Sequence, residues 1–246
     1  ALKKNPLKDQ ELGKNKTIGL LFFNSSLRTR LSTQKAALNL GMNPIVMNIS
    51  EDAWGIEFGN KTVMNGSTAE HIKEAAAVVS QYCDVIAVRA FPSLTDKEKD
   101  ESEEVLTAFL KYATVPLINM ESATGHPLQG LTDAITISEN TTKKRPKVVL
   151  SWAPHVKALP HAVGNSFIKA MQKMDVELVI ANPKGYDLNP DITKNTPIYH
   201  NQKEAFKDAD FVYAKNWSSY EDYGKIIKTD TNWMIRKEKL GKAKFM

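Results

Sequence analysis

Ser26-Leu27-Arg28-Thr29-Arg30 puts two guanidinium groups and two hydroxyls within five residues. The run follows the apolar stretch Thr17 to Phe23 and leads into leucines at helical spacing, Leu27, Leu31 and Leu38. A helix opening here aims free N–H groups and the positive end of its dipole at one point, and guanidinium forks grip phosphate oxygens in pairs. Basic side chains oppose that dipole, so an anion is the natural offset. The bland alternative is a pair of solvated arginines.

Other chemistry-bearing residues also follow apolar runs. Arg89 ends Val85 to Val88 as a candidate third phosphate ligand; standing alone, it reads better as a surface arginine closing a strand. Glu121 ends the run Val115 to Met120. His126 precedes Pro127 at a helix start, where an imidazole N–H can polarise a carbonyl oxygen. Gln129, three residues on, can reach the same ligand. His155 and Lys215 follow two later strands, and Asn165 and Ser166 open a helix. For each of these the plain alternative is ordinary loop polarity. There is no Gly-rich P-loop, no Gly-x-Gly-x-x-Gly and no zinc-like spacing, so neither those nucleotide devices nor a metal is expected.

These residues need a scaffold. The chain has 246 residues, 42% hydrophobic and 25% charged, with a net charge of +5. That composition excludes wholesale disorder and allows one large domain or two compact ones. The mild basic excess suits acidic small molecules as readily as nucleic acid. The only cysteine, Cys83, cannot build a disulfide framework; it reads as core, and a reducing cytoplasm is the expected compartment. No apolar run approaches the roughly 20 residues of a membrane helix, so no membrane partner is expected.

Apolar runs alternate with helical patterns. Strands are expected at Thr17 to Phe23, Pro44 to Ile49, Val85 to Val88, Val115 to Met120, Val148 to Trp152, Val176 to Ala181 and Phe211 to Ala214. Between them, Ser50 to Gly66 reads as a loop, Ser67–Glu70 as a capping box before the face Ile72, Ala75, Ala76 and Val79, and Lys97 to Tyr112 as one helix with Val105, Leu106, Phe109 and Leu110 inward. Helices follow from Pro127, over Ala162 to Met174 and over Gln202 to Ala209. The polar, basic stretch Glu139 to Lys147 reads as a solvated linker. The result is an α/β protein with two parallel-sheet domains, 1–140 and 145–246, whose ligands bind at the carboxyl ends of strands.

The clusters together resemble the carbamoyltransferases. Phe22-Phe23-Asn24-Ser25-Ser26-Leu27-Arg28-Thr29-Arg30 resembles that family's carbamoyl-phosphate loop, Ser-x-Arg-Thr-Arg, and His126-Pro127-Leu128-Gln129 its His-Pro-x-Gln segment. Arg89 occupies the matching place after the intervening strand. Asp52 to Phe58, Asn119-Met120-Glu121 and Tyr213 to Trp217 resemble the N-acyl-ornithine branch.

The resemblance implies two α/β domains flanking an interdomain active-site cleft, 1–140 for carbamoyl phosphate and 145–246 for acyl-ornithine. It implies a homotrimer in which Trp54 is donated to the neighbouring subunit's site. Carbamoyl phosphate would meet Ser26, Leu27 through its backbone, Arg28, Thr29, Trp54, Arg89, His126, Pro127, Leu128 and Gln129. Arg28, His126 and Gln129 would be the catalytic set, with no cofactor and no metal. Glu121, His155 and Lys215 would contact the acyl-ornithine, with Ala69 bordering the acyl group. A Glu at Ala69 would suit acetyl by repelling a succinyl carboxylate, whereas a small uncharged residue leaves room for succinyl. The implied reaction makes N-succinyl-L-citrulline from N-succinyl-L-ornithine and carbamoyl phosphate in arginine biosynthesis.

The family's His-Cys-Leu-Pro-x-Arg-Arg segment and closing helix do not appear before the sequence stops at Lys244-Phe245-Met246, and the opening helix is short. The expectation is therefore an enzyme whose second domain lacks its C-terminal part. The alternatives are an N-acetyl-L-ornithine or plain ornithine (or aspartate) carbamoyltransferase, a non-catalytic truncated phosphate-binding relative, and a nucleic-acid binder resting on charge alone.

Overall fold

The computed structural model describes residues 2–52, 55–227 and 231–246. In chain order, β1 (Thr17–Phe22), α1 (Arg28–Asn39), β2 (Asn43–Asn48) and a single turn α2 (Ile49–Asp52) come first. A two-residue bridge, β3 (Ile56–Glu57) with β4 (Glu70–His71), precedes α3 (Ile72–Tyr82) and β5 (Val85–Arg89). Then come α4 (Lys97–Glu101), α5 (Glu104–Tyr112), β6 (Leu117–Glu121) and α6 (Pro127–Asn140). The remainder runs β7 (Lys147–Trp152), α7 (Ala162–Met171), β8 (Glu177–Ala181), α8 (Pro190–Thr193), β9 (Ile198–Tyr199), α9 (Gln202–Phe206), β10 (Phe211–Lys215), α10 (Lys237–Leu240) and β11 (Lys244–Phe245).

The chain forms two compact units. The first holds residues up to Phe91 together with Ser102–Ser122; the second holds Pro92–Glu101 and Ala123–Met246. These units and the blocks 1–140 and 145–246 part company chiefly over α6, which packs along α7 in the second unit. Both sheets are parallel throughout, ordered β2-β1-β5-β6 in the first unit and β11-β10-β7-β8-β9 in the second.

Period-two alternation explains why β1 reads as continuously apolar. Ile18, Leu20 and Phe22 pack with Ala37, Ala87 and Met120 on one face, while Leu21 joins Ile72, Ala76, Ile86, Val88 and Phe109 on the other. Gly19 shares that second face, where a Cβ would stand 2.8 Å from Cys83 Sγ. Cys83 is buried in this core, as its sequence context suggested. In the second unit one core gathers Val148 to Leu150, Trp152, Phe167, Ile168, Ile180, Val212 and Trp217. Burying a side chain the size of Phe109 contributes about 2–3 kcal/mol.

Several local expectations fail for non-local reasons. Lys97 to Tyr112 is not one helix: it breaks at Glu103, whose φ of +53° is left-handed. The two halves are anchored in different units. Asp100 receives the Ser93 and Leu94 N–H groups (2.8 Å each) and the Tyr223 hydroxyl (2.9 Å), whereas Phe109 belongs to the first unit's core. Leu110 points outward, 63% exposed. The loop Ser50 to Gly66 contains α2 in part and β3, because β4 supplies a pairing partner from beyond it. The capping box is absent: α3 is capped by His71, whose Nδ1 accepts the Lys73 N–H at 3.2 Å.

Candidate active site

The β1–α1 loop folds as a cap with an uncompensated positive end. Thr29 N–H donates to Ser26 Oγ at 3.2 Å, and Leu27 already has helical backbone angles. The first turn of α1 contains no acidic residue, while Arg28 opens it and Arg30 follows. The local field therefore favours an anion. Arg30 is held to one side: its Nη2 donates to Asn48 Oδ1, and its guanidinium lies 5.3 Å from the Phe22 ring centre. Ser26, Leu27 and Arg30, with Phe22, Asn24, Ser25, Asn48 and Glu51, line a hollow of about 520 Å³. Arg28, Thr29 and Arg89 do not line that hollow.

Arg89 is not the surface arginine that its sequence position favoured. It is only 7% exposed. Its Nη1 donates to Glu121 Oε2 at 2.6 Å and to Thr29 Oγ1 at 2.9 Å, and its guanidinium sits 4.3 Å from the Phe91 ring centre. Parallel pairing of β1, β5 and β6 brings these groups together, with Phe22 opposite Arg89 and Arg89 opposite Glu121. Burial pulls the guanidinium pKa below its ordinary value; Glu121 pulls it up, and Arg28 adds a smaller push down. Arg89 Nε is buried and has no hydrogen-bond partner among the described residues. Glu121, expected to face acyl-ornithine, thus carries a buried ion pair with a phosphate-ligand candidate.

In the second unit, His126 caps α6 and Pro127 takes the first turn. Its backbone N–H donates to Ser166 Oγ on α7 at 2.7 Å. The approach is close because residue 130 is Gly: a Cβ there would stand 2.7 Å from Ser166 O. Leu128 is exposed, and Gln129 Nε2 donates to Asp133 Oδ1 at 2.8 Å, one turn along α6. His155 and Lys215 follow and end the neighbouring strands β7 and β10. The exposed His155 Nδ1 accepts the Lys157 N–H at 3.0 Å, and Lys215 O accepts the Ala153 N–H at 3.0 Å.

Ala69 lines a separate hollow of about 410 Å³ with Lys61, Thr62, Met64, Glu70, His71, Lys73 and Glu74. Trp54 lies outside the described residues. A hollow of about 1190 Å³ lined by α9 and α10 contains none of the predicted site residues. The predicted residues therefore group as Ser26, Leu27, Arg28, Thr29, Arg89 and Glu121 in one unit and His126, Pro127, Leu128, Gln129, His155 and Lys215 in the other. Sequence reasoning missed Asp133 and the Thr29–Arg89–Glu121 chain. A carboxylate four residues after Gln129, between the buried Gly130 and Ile137, was the available signal for Asp133.

Several known proteins similar to this chain in sequence and fold are carbamoyltransferases. Residues 1–139 match the family described as "Aspartate/ornithine carbamoyltransferase, carbamoyl-P binding domain". An N-succinylornithine carbamoyltransferase of Bacteroides fragilis (strain 638R) is 49% identical over 236 residues, 95% of this chain and 74% of that protein. An N-acetylornithine carbamoyltransferase of Xanthomonas campestris pv. campestris is 38% identical over 226 residues, 86% of this chain and 66% of that one. Among solved structures, acetylornithine transcarbamylase complexed with acetylcitrulline superposes with a TM-score of 0.90 at 34% identity, covering 99% of this chain and 79% of that one. A glutamate-to-alanine variant of N-acetyl-L-ornithine transcarbamylase, complexed with carbamyl phosphate and N-succinyl-L-norvaline, gives 0.91 at 35% identity, covering 99% and 80%. The chain belongs to the aspartate/ornithine carbamoyltransferase family. Within it, the chain falls in the N-acyl-ornithine branch, whose members are carbamoyl-transferring enzymes.

Proposed function

We propose that the protein transfers the carbamoyl group of carbamoyl phosphate to the δ-amine of N-succinyl-L-ornithine, giving N-succinyl-L-citrulline and phosphate in arginine biosynthesis. The observation that carries the phosphate half is the buried Arg89–Glu121 pair, extended to Thr29, beside a helix start with no acidic residue in its first turn. Glu121 holds Arg89 in place, and Arg89 in turn fixes the Thr29 hydroxyl. Ser26, the Leu27 N–H, Arg28, Thr29, Arg89 and a neighbouring subunit's Trp54 bind the phosphate. His126 donates to the carbamoyl oxygen, and Gln129 accepts from its NH₂, with Pro127 and Leu128 shaping the turn. The neutral δ-amine attacks the carbamoyl carbon, the donors stabilise the tetrahedral oxyanion, the C–O bond to phosphate breaks, and phosphate leaves with the electron pair. The attacking nitrogen then gives up its proton to the departing phosphate. Catalysis is positioning plus electrostatics. In this assignment 1–140 is the carbamoyl-phosphate domain, and 145–246 supplies His155 and Lys215 to acyl-ornithine.

Two observations support succinyl over acetyl. The relatives named N-succinylornithine carbamoyltransferase are 49% and 48% identical, against 38% for those named for N-acetylornithine. Ala69 adds no charge to its hollow, and Lys61 and Lys73 offset Glu70 and Glu74 there. The proposal includes a homotrimer. Leu27, Leu31 and Leu38, 74%, 60% and 54% exposed, give α1 an uncovered apolar stripe that a neighbouring subunit would bury. It also includes a cytoplasmic location, which suits a chain with one cysteine. No described helix is long and apolar enough to cross a membrane.

Initial rates with N-succinyl-ornithine, N-acetyl-ornithine, ornithine and aspartate, each at saturating carbamoyl phosphate, test the assignment. The expected order places N-succinyl-ornithine first by kcat/KM. Preference for N-acetyl-ornithine would move the protein to the second reading, and preference for free ornithine would end the acyl assignment.

A further inference from the structure

Asp133 is 4% exposed on the face of α6 that also buries Gly130 and Ile137. It makes no ion pair among the described residues. The hydrogen bond its carboxylate accepts is from Gln129 Nε2, at 2.8 Å to Oδ1. Oδ2 is buried with no donor in hydrogen-bond geometry among the described residues. The Tyr213 phenol of β10 bears on the carboxyl without meeting that geometry, and its ring stacks on Phe167 of α7 at 4.4 Å. The buried face of α7 presents no titratable residue. Burial lifts the Asp133 pKa to about 6, while Gln129 and Tyr213 pull it down, so the group is mostly ionised at pH 7. A buried carboxylate without a cation costs stability.

An ionised carboxylate only accepts hydrogen bonds, so only the NH₂ end of the Gln129 amide can face it. The amide carbonyl must then point away, as an acceptor. We propose that Asp133 is a positioning residue that locks the Gln129 side-chain amide with its carbonyl oxygen presented to the NH₂ of the carbamoyl group. This rests on the reading of Gln129 as a carbamoyl ligand. Without Asp133 the amide is free to turn its own NH₂ toward that NH₂, donor against donor. Loss of one such contact weakens binding about tenfold or more. The anchor is itself held, since α6 is pinned to α7 through the His126 N–H and the close approach at Gly130.

The test compares wild type, Gln129→Ala, Asp133→Leu and the double variant by KM for carbamoyl phosphate, kcat and melting temperature. Asp133→Leu should raise KM about tenfold or more while melting at or above the wild-type temperature at pH 7, which loss of a merely structural contact would not do. In the Gln129→Ala background it should add nothing. Additive effects, or a wild-type KM in Asp133→Leu, would overturn the proposal with the site reading intact. A wild-type KM in Gln129→Ala would overturn the site reading itself. Should Asp133→Leu fail to fold, Asp133→Asn decides: wild-type KM should climb relative to this variant as pH falls through about 6, where the aspartate protonates. Superimposable pH profiles would overturn the proposal.

Discussion

Glu121 and Asp133 are both buried carboxylates, yet they meet opposite surroundings. Glu121 ends β6 and faces Arg89 at 2.6 Å across paired strands. Asp133 faces an amide and a phenol, with burial the main influence on its pKa. The first charge is matched, and the pair contributes geometry by steadying Arg89 and Thr29. The second is unmatched and weakens the fold at neutral pH while fixing the direction of Gln129. A buried charge close to a candidate site can thus serve position in two ways, by neutralising a partner or by dictating which end of a neutral group faces it.

The largest expected effect comes from breaking the matched charge. Arg89→Ala takes the facing cation from the buried Glu121 carboxylate, and should cost about 3–5 kcal/mol in a urea titration together with carbamoyl-phosphate binding. Arg89→Met with Glu121→Leu should recover most of that stability and none of the turnover. If Arg89→Ala alone is neutral, the pair is not buried as described.

Asp133→Leu should act in the opposite direction, raising stability by about 1–3 kcal/mol at pH 7. Its sign depends on pH. The Asp133 carboxyl titrates near 6 in the folded protein against an ordinary 3.8, so the folded state holds the extra proton between those values. Wild-type stability from this group is therefore full below about 4 and is lost as pH rises through about 6. The gain in Asp133→Leu should shrink as pH is lowered from 7 toward 4, read from melting temperatures across that range. A pH-independent gain would mean the carboxyl is not perturbed. The smallest effect is expected from Tyr213→Phe. The Tyr213 hydroxyl pulls the Asp133 pKa down, so its removal should shift the midpoint to slightly higher pH. A midpoint moving down would show that the phenol does not stabilise the carboxylate.

The matched region was the more legible in sequence. Ser26, Arg28 and Thr29 carry their chemistry within one turn, and Arg89 follows a buried run, so order and residue type pointed to an anion. Burial of Arg89 was not legible, because it depends on β6 arriving beside β5. Asp133 was passed over because its isolation is a property of α7 and β10, which cover it from elsewhere in the chain. The break at Glu103 is of the same kind: both sides are helical as the pattern indicates, although Leu110 faces outward, and the anchors of the two halves lie in different units. The leucine spacing along α1 predicted a helix correctly. It did not indicate that Leu27, Leu31 and Leu38 face outward while Ala37 supplies the buried contact.

The most direct test of the phosphate nest is a calorimetric titration of carbamoyl phosphate into wild type and Arg28→Ala. Removing one guanidinium fork should weaken binding about 100-fold while the melting temperature stays within a degree or two, since Arg28 is exposed. Unchanged affinity in Arg28→Ala would contradict the account.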